Sequence, residues 1–304
     1  MCIFTEKRFF MPNTIEFVNY LKFEKRYSHN TIVAYQSDLN NFERYLHNHY
    51  EVSIEQVGVE MIRSWMMFLI SSSCSKPSLN RKLSSLRQFF RYLIKLEVIK
   101  VNPMIQIVSL KTDKKIPSFI TIQEMNFLLD KVIYDDDYIG RRDKVIIEMF
   151  YNTGIRLSEL IAIKVHDIDF SQSQLKVFGK RSKERIIPLL NSHLISLSEY
   201  LKFKKELFPN TNFLFTTNSG DVMYPKLVYR MINSYLQRVT TVNQKSPHVL
   251  RHAFASHMLN DGADLNAIKE ILGHASLTST QIYTHTSVEQ LKVVYKQAHP
   301  RGDH

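Results

Sequence analysis

From residue 13 to residue 103 the apolar residues recur at intervals of three and four, which confines the first third of the chain to helices. Asn13-Thr14 can cap a first helix with Ile15, Val18, Tyr20 and Leu21 on its apolar side. Asn30-Thr31 opens a second, carrying Ile32, Tyr35, Leu39, Phe42 and Leu46 at helical spacing. A third covers about 59–70, and a fourth, 78–97, places Leu79, Leu83, Leu86, Phe90 and Leu93 on one stripe. The other side of that fourth helix carries Asn80, Arg81, Arg87, Gln88 and Arg91. Asn102-Pro103 ends the block, since the residue before a proline is pushed out of helical geometry.

The basic side of the fourth helix has two readings. It could track the phosphates of a nucleic acid, or it could be a solvated helix face of the ordinary kind. Charge favours a polyanionic partner: 40 Lys+Arg against 29 Asp+Glu give a formal net charge of +11. Many basic proteins bind no nucleic acid, so charge does not decide the matter.

Residues 107–117, with Lys111, Lys114 and Lys115, lack an apolar period and read as a linker between a helical domain at 13–106 and a second domain at 118–304. The second domain opens with a helix after Thr121 and another over about 141–152. Leu175 to Phe178 and Arg185 to Leu189 read as two short strands around a polar turn. The fold expected is therefore mainly α, with a small β-hairpin in the C-terminal domain. Helices at about 191–208 and 224–240 look like scaffold, with a strand-like Phe213-Leu214-Phe215 run between them. An amphipathic helix closes the chain at about 288–297, with Leu291, Val294 and Tyr295 apolar.

The densest chemistry lies between Pro247 and His285. His248 and Arg251 stand three apart in a helical segment and project from one face. Pro247 suits a first helical position, and Asn260-Asp261-Gly262 is an end signal. A second helix, 264–272, is closed by Gly273, which leaves His274 just past a helix C-terminus. Tyr283 lies on a Thr/Ser-rich segment that suits the surface. Upstream, the Thr153-Gly154 turn delivers Arg156 to the start of a helix, the unfavourable end of the macrodipole for a cation. An anionic ligand explains that arginine better than helix stability does. Glu159, one turn on, could brace Arg156 or form a plain surface pair. Two arginines, two imidazoles and a reachable phenol are what phosphoryl transfer to a tyrosine requires.

These residues carry a family resemblance. His248-x-x-Arg251, Leu272-Gly273-His274 and Tyr283, together with Thr153 to Leu160 and Gly179 to Arg185, resemble the boxes of the tyrosine recombinases, or phage-type integrases. All six positions of the family's catalytic set are filled: Arg156, Lys180, His248, Arg251, His274 and Tyr283. Chemistry alone does not choose Lys180 from among Arg181, Lys183 and Arg185; its place after Gly179 in the family motif does. The resemblance implies a four-helix, SAM-like core-binding domain followed by a catalytic domain. It also implies Tyr283 as nucleophile and Lys180 as general acid; Glu159, from its place one turn after Arg156, is read as a support behind that set.

Within the family the likeness is greatest to the bacterial chromosomal Xer recombinases (XerC/XerD type), which resolve chromosome dimers during cell division. It implies a double-stranded DNA substrate with a specific recombination site and a tetramer on synapsed DNA. A second Xer-type recombinase, a DNA translocase activator, and a tail helix docked on a neighbouring protomer are further implications. Asn80, Arg81, Arg87 and Arg91 become candidate DNA contacts. Neither metal nor cofactor is expected, because the phosphotyrosine conserves the bond energy.

Other classes stay open on the residues alone. A transposon or phage integrase, or a type IB topoisomerase, would use the same set, and a non-enzymatic DNA-binding protein would need none of it. A metalloenzyme could use His248, His252 and His257, although no HExxH glutamate accompanies them. Cys2 and Cys74 are too few for a disulfide framework or thiolate metal site. No apolar run approaches the roughly 18 residues of a membrane span, and the N-terminus lacks the apolar core of a signal peptide. The expected location is cytoplasmic, with Met11 a possible alternative start.

Overall fold

The computed structural model describes residues 12–112, 120–179, 184–273 and 288–302. The chain divides into two compact units, 1–115 and 116–304.

Among its described residues the first unit has four α-helices: α1 (Pro12–Asn19), continued by a π-helical turn at Tyr20–Glu24, α2 (His29–His49), α3 (Val59–Ser71) and α4 (Lys76–Lys95). Their starts follow capping chemistry. The Ser28 hydroxyl accepts from the Thr31 amide and that of Ser75 from Ser78, each supplying a partner to an amide that has none within the helix. Leu79, Leu83, Leu86, Phe90 and Leu93 of α4 are fully buried, as their spacing predicts. Phe17 of α1 and Leu21 of the π-helical turn are buried, while Ile15 is half exposed. Phe17 faces Phe89 and Tyr92, and Val18 packs against the same core while partly buried. Trp65 of α3 lies at the centre of this core against Phe42.

The stretch read as a linker begins as part of this unit. Ile107 is buried in its core, and the Leu110 backbone exchanges two 2.8 Å hydrogen bonds with the Asn80 amide of α4. Ile105, Ile107, Val108 and Leu110 fit neither a helical nor a strand period, and only Ile107 of the first three is buried, so the sequence does not announce a packed segment. Lys114 and Lys115 lie outside the described residues.

The second unit holds α5 (Ile122–Asp130), α6 (Tyr138–Thr153), α7 (Leu157–Ala162), α8 (Asn191–Leu207), α9 (Pro225–Gln237), α10 (Pro247–Asn260), α11 (Leu265–Leu272) and α12 (Val288–Ala298). One antiparallel sheet runs β1 (Ile168–Asp169), β2 (Gln174–Phe178), β3 (Glu184–Pro188), with Leu175 opposite Ile187 and Phe178 opposite Glu184. The two-residue β1 carries no pattern of its own and is absent from the sequence-based expectation. Phe213 makes an isolated bridge to Lys164 in place of a strand.

Helix α6 is buried along almost its whole length, and α8 and α10 pack against it. Pro247 takes the first helical position of α10, and Gly273 ends α11 in the left-handed conformation (φ 63°), both as their residue types predict. The tail helix packs on its own unit: Leu291 and Tyr295 are buried, and the Tyr295 hydroxyl donates to the Asn152 carbonyl.

Candidate active site

The site is assembled from the ends of three helices. Helix α6 stops at Thr153 because Gly154 adopts φ 58°, a conformation costly for any residue with a Cβ. The space is closed as well: a Cβ there would stand 2.5 Å from Phe254 Cδ1 and 2.7 Å from Leu272 Cδ2. The turn places Arg156 at the N-cap of α7. Its backbone N–H donates to Glu159 Oε2 (2.8 Å) and its Nη1 to Glu159 Oε1 (2.8 Å), the carboxylate half of a capping box joined to an ion pair.

Arg251 reaches the same place from α10, which packs on α6. It donates through Nη1 to the Gly154 carbonyl and through Nη2 to the Leu272 carbonyl (2.8 Å). Arg156 Nη2 donates to the next carbonyl, Gly273 (2.8 Å). A third arginine joins them. Arg185 of β3 donates through Nη1 and Nη2 to the two oxygens of Glu159 (2.9 and 2.8 Å) and through Nε to the Ile271 carbonyl (2.7 Å). Three successive carbonyls at the end of α11 thus each receive one arginine, where the negative end of the helix dipole favours cations.

The electrostatics follow from this crowding. Glu159 is buried; burial pushes its pKa up, but hydrogen bonds from Arg185 and the Arg156 backbone, with their charges, outweigh it and hold the carboxyl below its usual value. Arg251 is buried, and burial followed by repulsion from Arg156 pushes its pKa down to about 10. Three guanidiniums therefore face one carboxylate, an excess of two positive charges. His248 stands one turn before Arg251, exposed at its side chain. Its pKa is lowered by desolvation, then by Arg251, His252 and Arg156, so the imidazole is neutral at neutral pH.

Of the six candidate residues the structure brings Arg156, His248 and Arg251 together; Lys180, His274 and Tyr283 lie outside the described residues. Glu159 is a buried bridge and not a surface pair. Arg185, one of four cations from 180 to 185, was indistinguishable from a solvent-facing strand residue in the sequence. Its bonds reach 26 and 86 residues along the chain, and no local signal announces them.

Two comparisons settle the family. Residues 118–290 match the phage integrase family, and residues 15–97 match the phage integrase N-terminal SAM-like domain. The chain belongs to the tyrosine recombinases of the phage integrase family. It is 38% identical over 287 residues to tyrosine recombinase XerC of Staphylococcus aureus (strain bovine RF122 / ET3-1), covering 94% of this chain and 96% of that protein. It is also 38% identical over 302 residues to tyrosine recombinase XerC of Thermodesulfovibrio yellowstonii, covering 97% and 98%. The fold is that of the XerH site-specific recombinase crystallised on palindromic difH substrate (TM-score 0.71, 22% identity, 93% of this chain and 84% of that one). The protein is thus a site-specific tyrosine recombinase, similar to XerC over nearly its whole length.

The recombinase's candidate DNA contacts on α4 divide. Asn80 is engaged with Leu110, and Arg87 Nη2 donates to the Ile107 carbonyl (2.9 Å), so both pin the chain beyond α4. Arg81 is half exposed but held by Asp38, and Arg91 is exposed. The metal reading of His248, His252 and His257 fails on geometry. His257 is buried, with Nδ1 2.9 Å from the Tyr151 hydroxyl and Nε2 2.9 Å from the Ile120 carbonyl. Among the described residues no helix is long and apolar enough to cross a membrane.

Proposed function

We propose that this recombinase cuts and rejoins a dedicated double-stranded DNA site through a 3′-phosphotyrosine at Tyr283, acting in the cytoplasm as an Xer-type resolvase of chromosome dimers. The observation that carries the reading is the arginine cluster. An excess of two positive charges, partly buried and rigidly held, is unfavourable by itself and is relieved by a phosphodiester. Attack on phosphorus builds a second negative charge on the phosphate oxygens, which Arg156 and Arg251 offset.

In the forward step the Tyr283 oxygen bonds to phosphorus and the bond to the 5′ oxygen breaks. The phenol proton passes toward His248, whose neutral imidazole suits an acceptor. Lys180 gives the departing 5′ oxygen its proton, and His274 donates a hydrogen bond to a phosphate oxygen. A 5′-hydroxyl from another strand then attacks the phosphotyrosine and releases the phenol. The bond energy is retained throughout, so the exchange itself draws on no cofactor. The similarity to XerC supports the chromosomal role, and with it a tetramer on paired sites, a second Xer-type partner and a translocase activator.

The test uses nicked DNA carrying a candidate site, wild type and Tyr283→Phe, in EDTA. An SDS-stable protein–DNA adduct with wild type alone is expected. An adduct that survives Tyr283→Phe, or one that EDTA abolishes, would refute the assignment.

A further inference from the structure

We infer that Arg185 is a positioning residue for strand cleavage: by sharing the Glu159 carboxylate it prevents that carboxylate from closing on Arg156 and cancelling its charge. The inference rests on the proposed role of Arg156 at the scissile phosphate.

Each Glu159 oxygen accepts one bond from each arginine. Oε1 takes Arg156 Nη1 (2.8 Å) and Arg185 Nη1 (2.9 Å); Oε2 takes the Arg156 backbone N–H (2.8 Å) and Arg185 Nη2 (2.8 Å). A carboxylate divided in this way cannot turn both oxygens onto the Arg156 guanidinium. The Arg185 side chain is only 11% exposed, and its Nε is anchored on the Ile271 carbonyl (2.7 Å), so all three of its nitrogens are engaged within the protein. That commitment sets Arg185 apart from a DNA-facing cation. Without Arg185, Glu159 is free to form the two-pronged pair with Arg156 that carboxylates and guanidiniums favour. The cluster then offers a phosphate one net positive charge where it now offers two, and Arg156 is drawn off the Gly273 carbonyl that aims it.

The prediction is one of order: if Arg185 works through Glu159, its loss stops mattering once Glu159 is neutral. Single-turnover adduct formation is measured at saturating nicked DNA, with affinity measured separately by gel shift. Arg185→Gln is expected to slow cleavage ~100-fold, the size of a misaimed reacting group, with DNA affinity held within about threefold. Glu159→Gln is expected to slow it ~10-fold, and the double variant no more than Glu159→Gln alone, so that removing the carboxylate rescues the Arg185 variant ~10-fold. A merely structural role gives a double variant as slow as Arg185→Gln or slower. That result overturns the inference, as does Arg185→Gln cleaving within about threefold of wild type. If Arg185→Gln does not fold, Arg185→Met carries the same prediction, since it fills the space without a polar atom. Wild-type protein that forms no Tyr283-dependent adduct overturns the functional reading itself and this role with it. A wild-type adduct leaves the variants to decide Arg185 alone.

Discussion

In each unit of this recombinase a buried carboxylate gathers several cations, Asp38 in the first and Glu159 in the second, and the two are wired differently. Asp38 of α2, fully buried, accepts from Arg81 twice, from Lys82 Nζ (3.3 Å) and from the Ser85 hydroxyl (2.7 Å), all on α4. Glu159 accepts from residues on a turn and a strand, and their arginines reach on to the carbonyls of α11. The first arrangement fixes how two helices pack. The second gathers chain segments that would otherwise end separately, and so it can build a site. A buried ion pair does one job or the other according to whether its partners share an element.

Substitution of the two carboxylates gives the largest expected separation. Glu159→Gln should cost about 3 kcal/mol of stability, because Arg185 stays buried without its partner. Asp38→Asn should cost about 2 kcal/mol, because Lys82 and Ser85 lose their acceptor while the half-exposed Arg81 can turn to water. Only Glu159→Gln should slow cleavage at saturating DNA. Denaturant unfolding and single-turnover assays on both variants check this, and equal loss of cleavage in Asp38→Asn would erase the distinction. Next in size is Gly154→Ala, where backbone strain and the clash with Phe254 and Leu272 together cost about 2 kcal/mol and displace the carbonyl that holds Arg251. Gly262→Ala, at φ 87° in open space, should cost about 1 kcal/mol from strain alone. Thermal melts of the pair separate strain from crowding.

How much of this was legible in the sequence follows the same division. The stripes of α4, the proline at the start of α10 and the glycine ending α11 are local signals, and each lands where its chemistry says. His248 and Arg251 shared a face by spacing alone. What the sequence did not disclose is long-range bonding: Glu159 as a bridge, Arg185 as its second partner, and Asn80 turned inward onto Leu110. The apolar residues Ile105, Ile107, Val108 and Leu110 follow no regular period, so they likewise do not mark the docking of residues 107–110.

The units should also differ in how acid affects them. Glu43, buried beside the Thr14 hydroxyl, has its pKa raised to about 7, chiefly by burial, from an ordinary 4.5. Its contribution is complete below the unfolded value and is lost as pH rises from about 4.5 through 7. His299, fully buried against Tyr151, Phe254 and Tyr295, is pushed down to about 3 by burial from an ordinary 6.5. The folded unit resists its protonation, so stability is lost as pH falls from about 6.5 toward 3. Either slope is bounded by about 1.4 kcal/mol per pH unit. The chain has one tryptophan, Trp65, in the first core, so its fluorescence follows that unit while far-UV circular dichroism follows both. Glu43→Gln should flatten the first pH slope and His299→Phe the second; slopes unchanged in the variants would show that other groups set them. An effect as small as that of Gly262→Ala is expected from Asn80→Ala, about 1 kcal/mol for the lost bonds to Leu110, read in the tryptophan transition.

The end of α11 holds its arginines with carbonyl oxygens, and a carbonyl is present whatever side chain its residue bears. Positions 271 and 272 can therefore drift among apolar residues of similar bulk, provided they still fill the core, without disturbing what they hold. The arginines have no such latitude. Mutational tolerance around this site should be lopsided, generous in the residues that grip and narrow in those gripped, and a saturation library across both sets would display that asymmetry directly.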